Sequence, residues 1–137
     1  MRVSNTFAIM VVVFIVSAMF IQTCSSPMAR YSPFTRRFIQ ELEKSKKSQE
    51  GGPEEFDLSK RTREEFLVKR ADQGYVVHGM IKVDGSIDPA DLLRLDIRIN
   101  SQRGDIWAVV IPVYSLKSLG SIIGVKRVEI DSPVKKR

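Results

Sequence analysis

Three residues of types that concentrate chemistry or recognition occur once each in this chain: Cys24, His78 and Trp107. A single cysteine and a single histidine cannot make a structural disulfide, a four-ligand Cys/His zinc site or a Cys/His cluster within one chain. His78 lies inside the run Tyr75–Val83 with no Ser or Cys that spacing would put beside it, so it reads as a packed or surface histidine rather than a general base. Asp88 and Asp91 fit helix-capping acids better than a pair of catalytic carboxylates. Gly120-Ser121-Ile122-Ile123-Gly124 has two glycines, but they close a helical pattern instead of following a strand, where a phosphate-cradling loop must sit. Trp107 reads as a core or interface aromatic rather than a ligand platform. Nucleophile, base and orienting group do not assemble at any recognisable spacing, so the expectation is a non-enzyme with no metal and no cofactor.

The chain has 137 residues, with 22 Lys and Arg against 16 Asp and Glu and a formal net charge of +6, which leaves room for one small domain. Its opening has Arg2, an apolar run from Phe7 to Ile21 broken only by Ser17, and then Gln22-Thr23-Cys24-Ser25-Ser26. This layout predicts an export signal over residues 1–23. The run spans 15 residues, short of the ~20 that a helix needs to cross a bilayer, so a cleaved signal is expected, with a tilted retained anchor as the alternative. Ile21-Gln22-Thr23-Cys24 resembles a loose bacterial lipobox, which makes Cys24 a candidate lipidation residue; the alternative is an incidental thiol. The expected location is therefore the periplasm, or the outer membrane by lipoprotein attachment. Export removes nucleic acid as the partner of the positive charge, because that charge acts outside the cytoplasm.

Residues 24–73 read as a helix followed by a charged flexible spacer. Ser32-Pro33 supplies a cap and a first-turn proline, and Phe34, Phe38, Ile39 and Leu42 form an apolar stripe, predicting a helix from Pro33 to Lys47. Its charged face reads as solvated, because acids are interspersed with the bases. Gln49 to Glu55 reads as linker. Ser59 to Arg70 is either a short helix or the start of a strand.

Residues 74–137 carry the compact unit. Tyr75–Val83 is a strand ending at Asp84-Gly85, and Asp88-Pro89 starts a short helix. Asp96–Asn100 alternates as a second strand, Ser101–Gly104 connects a hairpin, and Asp105–Val113 is a continuously apolar central strand. Ser115–Ile123 is a second helix stopping at Gly124, and Lys126–Asp131 is the last strand. The order β-α-β-β-α-β predicts a ferredoxin-like α+β fold: one antiparallel four-stranded sheet, with two helices on one face, preceded by the N-terminal helix. Val77, Gly79, Ile81 and Val83 are expected beneath the helices. The candidate open face carries Val76, His78 and Met80, with Trp107 of the third strand as its aromatic. Either a partner covers that face or the Pro33–Lys47 helix does.

Tyr75-Val76-Val77 with Met80-Ile81-Lys82-Val83, then Ser86-Ile87, Asp91-Leu92-Leu93, Gly104-Asp105-Ile106-Trp107, Ile111-Pro112-Val113 and Gly124-Val125-Lys126 with Glu129 to Val134, resembles one known arrangement. It is similar to the N-terminal prodomain of exported subtilisin-like serine proteases of Bacteroidetes type, and the Ser32–Lys47 segment resembles the stretch after the signal in those precursors. The likeness covers about residues 30 to 134. It implies a ferredoxin-like domain that packs its open sheet face on a protease and lays its C-terminal tail in the substrate cleft, acting as inhibitor and folding chaperone. The tail would be Ser132, Pro133, Val134, Lys135, Lys136 and Arg137, with Pro133 favouring an extended backbone. The chain has no protease domain after it, so the expected partner is a subtilisin-like serine protease in trans. The alternatives are a remnant of a truncated precursor, or a non-enzymatic interaction lipoprotein of the cell envelope tethered through Cys24.

Overall fold

The computed structural model describes residues 26–46, 56–72 and 74–134. A 3-10 turn, Pro27–Arg30, leads into helix α1, Pro33–Ser45. Ser32 caps α1 by accepting the Thr35 N–H at 3.2 Å, and Pro33 fills a first-turn position where its missing N–H costs nothing. Helix α2, Lys60–Glu65, is capped the same way by Ser59. It runs into strand β1, Lys69–Ala71, so the stretch that read as either helix or strand is both in succession. Next come β2, Gly74–Val83; α3, Pro89–Arg94; β3, Arg98–Arg103; and β4, Ile106–Pro112. A 3-10 turn at Val113–Ser115 continues into α4, Leu116–Leu119, and β5, Val125–Ile130, closes the order.

The fold is α+β, with a five-stranded antiparallel sheet and short helices. Neighbours run β1-β2-β4-β3, and β5 also pairs with β2. Val76 pairs with Lys69 and Pro112, and Gly79 pairs with Ile130 and Val109. β1 and β5 therefore share one edge of β2, opposite β4. The expected four-stranded sheet is corrected to five, because the charged segment after α2 supplies β1. Several expected boundaries also move. β3 starts at Arg98 rather than Asp96, since Asp96 takes φ 57° as the residue that ends α3. β3 then continues through Arg103, and Gly104 takes the positive φ that the first position of a two-residue hairpin loop requires. The second helix is shorter than Ser115–Ile123 and ends at Leu119.

Both α2 and α3 stop in the same way. Val68 N–H reaches Arg63 O at 2.8 Å over Leu67, and Ile97 N–H reaches Leu92 O at 3.1 Å over Asp96. These are six-to-one closures with Leu67 (φ 50°) and Asp96 (φ 57°) at the left-handed position where glycine is the usual choice.

One apolar cluster holds the molecule together. It takes Val77, Ile81 and Val83 from β2; Trp107, Val109 and Ile111 from β4; and Val125, Val128 and Ile130 from β5. Onto them pack Phe38, Ile39 and Leu42 of α1, Phe66 behind α2, Leu92 of α3, and Leu116 and Leu119 of α4. Phe66 joins Phe34 and Phe38 with ring centroids 5.0 and 4.7 Å away. The separation of a 24–73 helix-and-spacer segment from a compact unit at 74 is thus not seen in the described residues. Residues 26–46 and 56–72 supply core, edge and a strand, while the Gln49–Glu55 linker and Lys47 lie outside them.

The N-terminal segment is clamped. Ser32 N–H donates to Val128 O at 3.0 Å, and Ile130 N–H donates to Thr35 Oγ1 at 3.1 Å, so the outer edge of β5 is covered. The buried Tyr31 hydroxyl donates toward Leu116 O (2.6 Å) and Lys117 O (2.8 Å) and accepts Gly120 N–H at 2.6 Å. Burial pushes that hydroxyl's pKa up. A Cβ on Gly120 would lie 2.5 Å from the Tyr31 ring, which is why a glycine stands there.

Candidate functional site

The helices pack against one face, so strand register defines what the other carries. Cross-strand partners share a face. β2 contributes Val76, His78, Met80 and Lys82, and β4 contributes Ile106, Ala108, Val110 and Pro112 opposite them. β3 adds Arg98, Ser101 and Arg103, and β5 adds Arg127 and Glu129. Lys69 of β1 lies beside Val76. Val110 is only 4% exposed yet lies outside the core cluster, so its burial comes from sheet neighbours on this face. Met80 is 49% exposed and Ile106 is also exposed. The centre is therefore apolar and open, with charged residues around it.

Trp107 is not part of this face. It pairs with Ile81, is 8% exposed, belongs to the core cluster and donates Nε1–H to Gly104 O at 3.2 Å. The expectation for Trp107 is corrected because both residue sets of β4 are apolar. Only the pairing with β2 fixes which set points inward.

Two ion pairs cross this face, Lys82 with Asp105 at 3.5 Å and Arg127 with Glu129 at 3.6 Å, both solvent-exposed. Such pairs are screened and contribute little to stability. Among the described residues no carboxylate stands within ion-pairing reach of Arg98, Arg103 or Lys69. These cations were not singled out from sequence; the alternation of Arg98 with Ile97 and Ile99 was the available signal.

The tail leaves beside this surface. Asp131 N–H donates to His78 O at 2.9 Å, and beyond it β1 occupies the edge of β2 that β5 would need to continue. Ser132, Pro133 and Val134 are exposed, Val134 to 90%; Lys135, Lys136 and Arg137 lie outside the described residues, as does Cys24.

A groove of about 380 Å³ opens where β2 starts and β4 ends, lined by Tyr75, Val76, Leu93, Asp96, Arg98 and Tyr114 among others. Tyr114 donates to Asp96 Oδ2 at 2.7 Å, and that hydrogen bond pushes its phenol pKa up. Asp88 caps α3 through Ala90 N–H at 2.9 Å, and Asp91 pairs with Arg94 at 2.8 Å, so both acids have local structural partners. Among the described residues no three His, Cys, Asp or Glu side chains gather where a metal ion could be held, and no helix is long and apolar enough to cross a membrane. What this geometry offers is recognition: an apolar centre, cations with no carboxylate partner among the described residues, and an exposed chain end at the margin. No protein-family model matches the chain, and no curated protein or solved structure gives a match.

Proposed function

We propose that this protein is an exported, propeptide-like module that binds a subtilisin-like serine protease in trans, as inhibitor, folding chaperone or both. The bare face around Val76, His78 and Met80 makes the larger contact, and Ser132 to Arg137 enters the substrate cleft in product-like fashion. The observation that carries this reading is the one-sided sheet. Helices α1, α3 and α4, with Phe66 just after α2, add to the core cluster on one side, while an apolar strip stays open on the other, and an exposed chain end departs from the strand next to it. Apolar area left open on a small domain marks an interaction surface, and an extended peptide gains main-chain hydrogen bonds by adding to a strand edge. Element order and strand pairing lend support as well. Leaving β1 aside, β2-α3-β3-β4-α4-β5 keeps the β-α-β-β-α-β order, and β5-β2-β4-β3 supports a ferredoxin-like unit with β1 and α1 added.

The test is an inhibition and refolding assay of the purified mature chain against the subtilases encoded by the same organism. Deleting Ser132 to Arg137 should weaken inhibition about 100-fold with little change in thermal stability, as expected when an anchoring segment is removed from an interface. Met80→Asp should weaken binding with similar folding. A chain that neither inhibits nor assists refolding of any of those enzymes ends the proposal.

A further inference from the structure

We infer that the end of the molecule carrying the loop Gly120–Gly124 rests on a lipid bilayer, with Ile123 inserted into its surface. This rests on the chain staying joined to the membrane, through a retained apolar run or a lipidated Cys24, and not on the protease reading.

Three observations converge on that end. Only Gln22, Thr23, Cys24 and Ser25 separate the apolar run ending at Ile21 from Ser26, so Ser26 lies at most about 17 Å along the chain from that run, and closer still to a lipidated Cys24. The segment after Ser26 is held to the body. Arg30 donates to Gly120 O at 2.8 Å and Ile122 O at 3.2 Å, and the Tyr31 hydroxyl is clamped to α4. Any tether before Ser26 therefore acts on the body through the loop that Arg30 holds.

Direction comes from the strands. β5 runs from the Val83 end of β2 toward Gly79, and Tyr31 bridges Val128 in parallel. The residues before Tyr31 thus lie at the Val83 end, as does Gly124, whose carbonyl accepts Asp84 N–H at 2.9 Å. At this end stands Ile123, 73% exposed. An exposed branched aliphatic side chain next to a chain that arrives from an apolar segment matches the chemistry of the bilayer interface. Lys117 and Lys126 nearby are already paired with Glu43 and Asp84, so attraction to anionic lipid is not required. The groove and exposed Leu93 lie at the opposite end of β2, about 30 Å away at the usual rise of a ten-residue strand. The tail leaves β5 in that direction, away from the lipid.

The test uses the full-length chain, expressed through its own export route and transferred with its membrane into phosphatidylethanolamine–phosphatidylglycerol nanodiscs. A photoreactive benzophenone residue replaces Ile123, Met80 or Leu93 in separate samples, each checked for native circular dichroism, and lipid adducts are counted by mass spectrometry. Ile123 should give about tenfold more adducts than Leu93, with Met80 close to Leu93, because contact falls off with distance from the interface. Equal yields at Ile123 and Leu93, or a larger yield at Met80, would overturn the orientation. Recovery of the mature chain in the soluble fraction, with neither lipid nor apolar segment attached, would overturn the attachment itself. The protease reading is scored separately, by the inhibition assay.

Discussion

Along β2 the residues alternate between two environments. Val77, Ile81 and Val83 are sealed beneath helices, whereas Val76 and His78 are half-buried and Met80 is half exposed. Both sets are largely apolar, so composition alone does not explain why one is covered. The difference lies in where the N-terminal segment goes. α1 was one of two expected covers for the open face, and it joins the other side, because Ser32 and Thr35 bond the outer edge of β5 and Phe38 then meets Phe66 over the core. A chain that spends its helices on one face and its edge-covering segment on β5 has nothing among the described residues for the second face.

The sharpest way to break that comparison is to truncate one apolar side chain on each side. Phe38→Ala should lower unfolding free energy by about 3–5 kcal/mol, the usual cost of a large cavity in a close-packed core. Met80→Ala should stay within about 1 kcal/mol, as for an exposed position. Urea denaturation measures both. Equal and small effects would mean that α1 is an appendage, and equal and large effects would mean that the bare face is covered after all.

Next in size is the clamp that commits α1 to its side. Tyr31→Phe removes the hydroxyl shared by Leu116 O, Lys117 O and Gly120 N–H, so each of these backbone groups loses one hydrogen bond, at a cost of about 1–3 kcal/mol. Gly120→Ala forces the same ring to move, so the double variant should cost clearly less than the two single effects added. Additive effects would show that the two residues do not form one clamp.

The covered face was legible in the sequence and the edges were not. The alternation of Val77, Gly79, Ile81 and Val83, and the caps at Ser32 and Asp88, rest on local spacing, which strand and helix geometry translate directly into faces and boundaries. Trp107 was misplaced because a continuously apolar strand has no periodicity to read, and only its pairing with Ile81 sets the register. β1 and the Tyr31 clamp escaped for a related reason. The clamp's hydrogen bonds join positions distant in the chain, as does that of Ser32 to Val128, while β1 pairs with the adjacent β2 but Lys69-Arg70-Ala71 has no apolar pattern of its own. Of the candidate surface, Val76, His78 and Met80 could be grouped from alternation, whereas Arg98 and Arg103 join them only through pairing with Val110 and Ile106.

A smaller effect of opposite sign tests how the chain is delivered to the two sides. Leu67 closes α2 in a left-handed conformation that costs a non-glycine residue roughly 1–2 kcal/mol, and its side chain is exposed. Leu67→Gly should therefore stabilise the protein by about 1 kcal/mol, after allowing for glycine's extra freedom when unfolded. Asp96→Gly relieves the same strain but loses the Tyr114 hydrogen bond, so its gain should be smaller. A loss of stability in L67G would mean that the Leu67 side chain packs on something across that corner.

The smallest effect concerns the end of β2 where the two faces meet the turn. Asp84 accepts from Lys126 Nζ at 2.7 Å, from Ser86 N–H at 2.9 Å and from the Ser86 hydroxyl. The Lys126 contact, followed by the Ser86 contacts, holds the carboxyl far below its ordinary range, although the group is only partly buried. A carboxyl whose folded pKa is depressed adds stability at every pH above its unfolded value, near 4, and loses it progressively as pH falls toward the folded value. Asp84→Asn should thus lower the urea midpoint slightly at neutral pH, and the gap to the parent protein should narrow progressively as pH falls below about 4. Because Lys126 is the residue that the register shift between Lys82 and Val83 leaves without a cross-strand partner, the same variant should also speed amide exchange at Val125 and Val83 and leave Gly79 unchanged. A midpoint gap that stays constant with pH would assign Asp84 a role in turn geometry alone, and the ionic link between β2 and β5 would then contribute nothing to holding the covered face together.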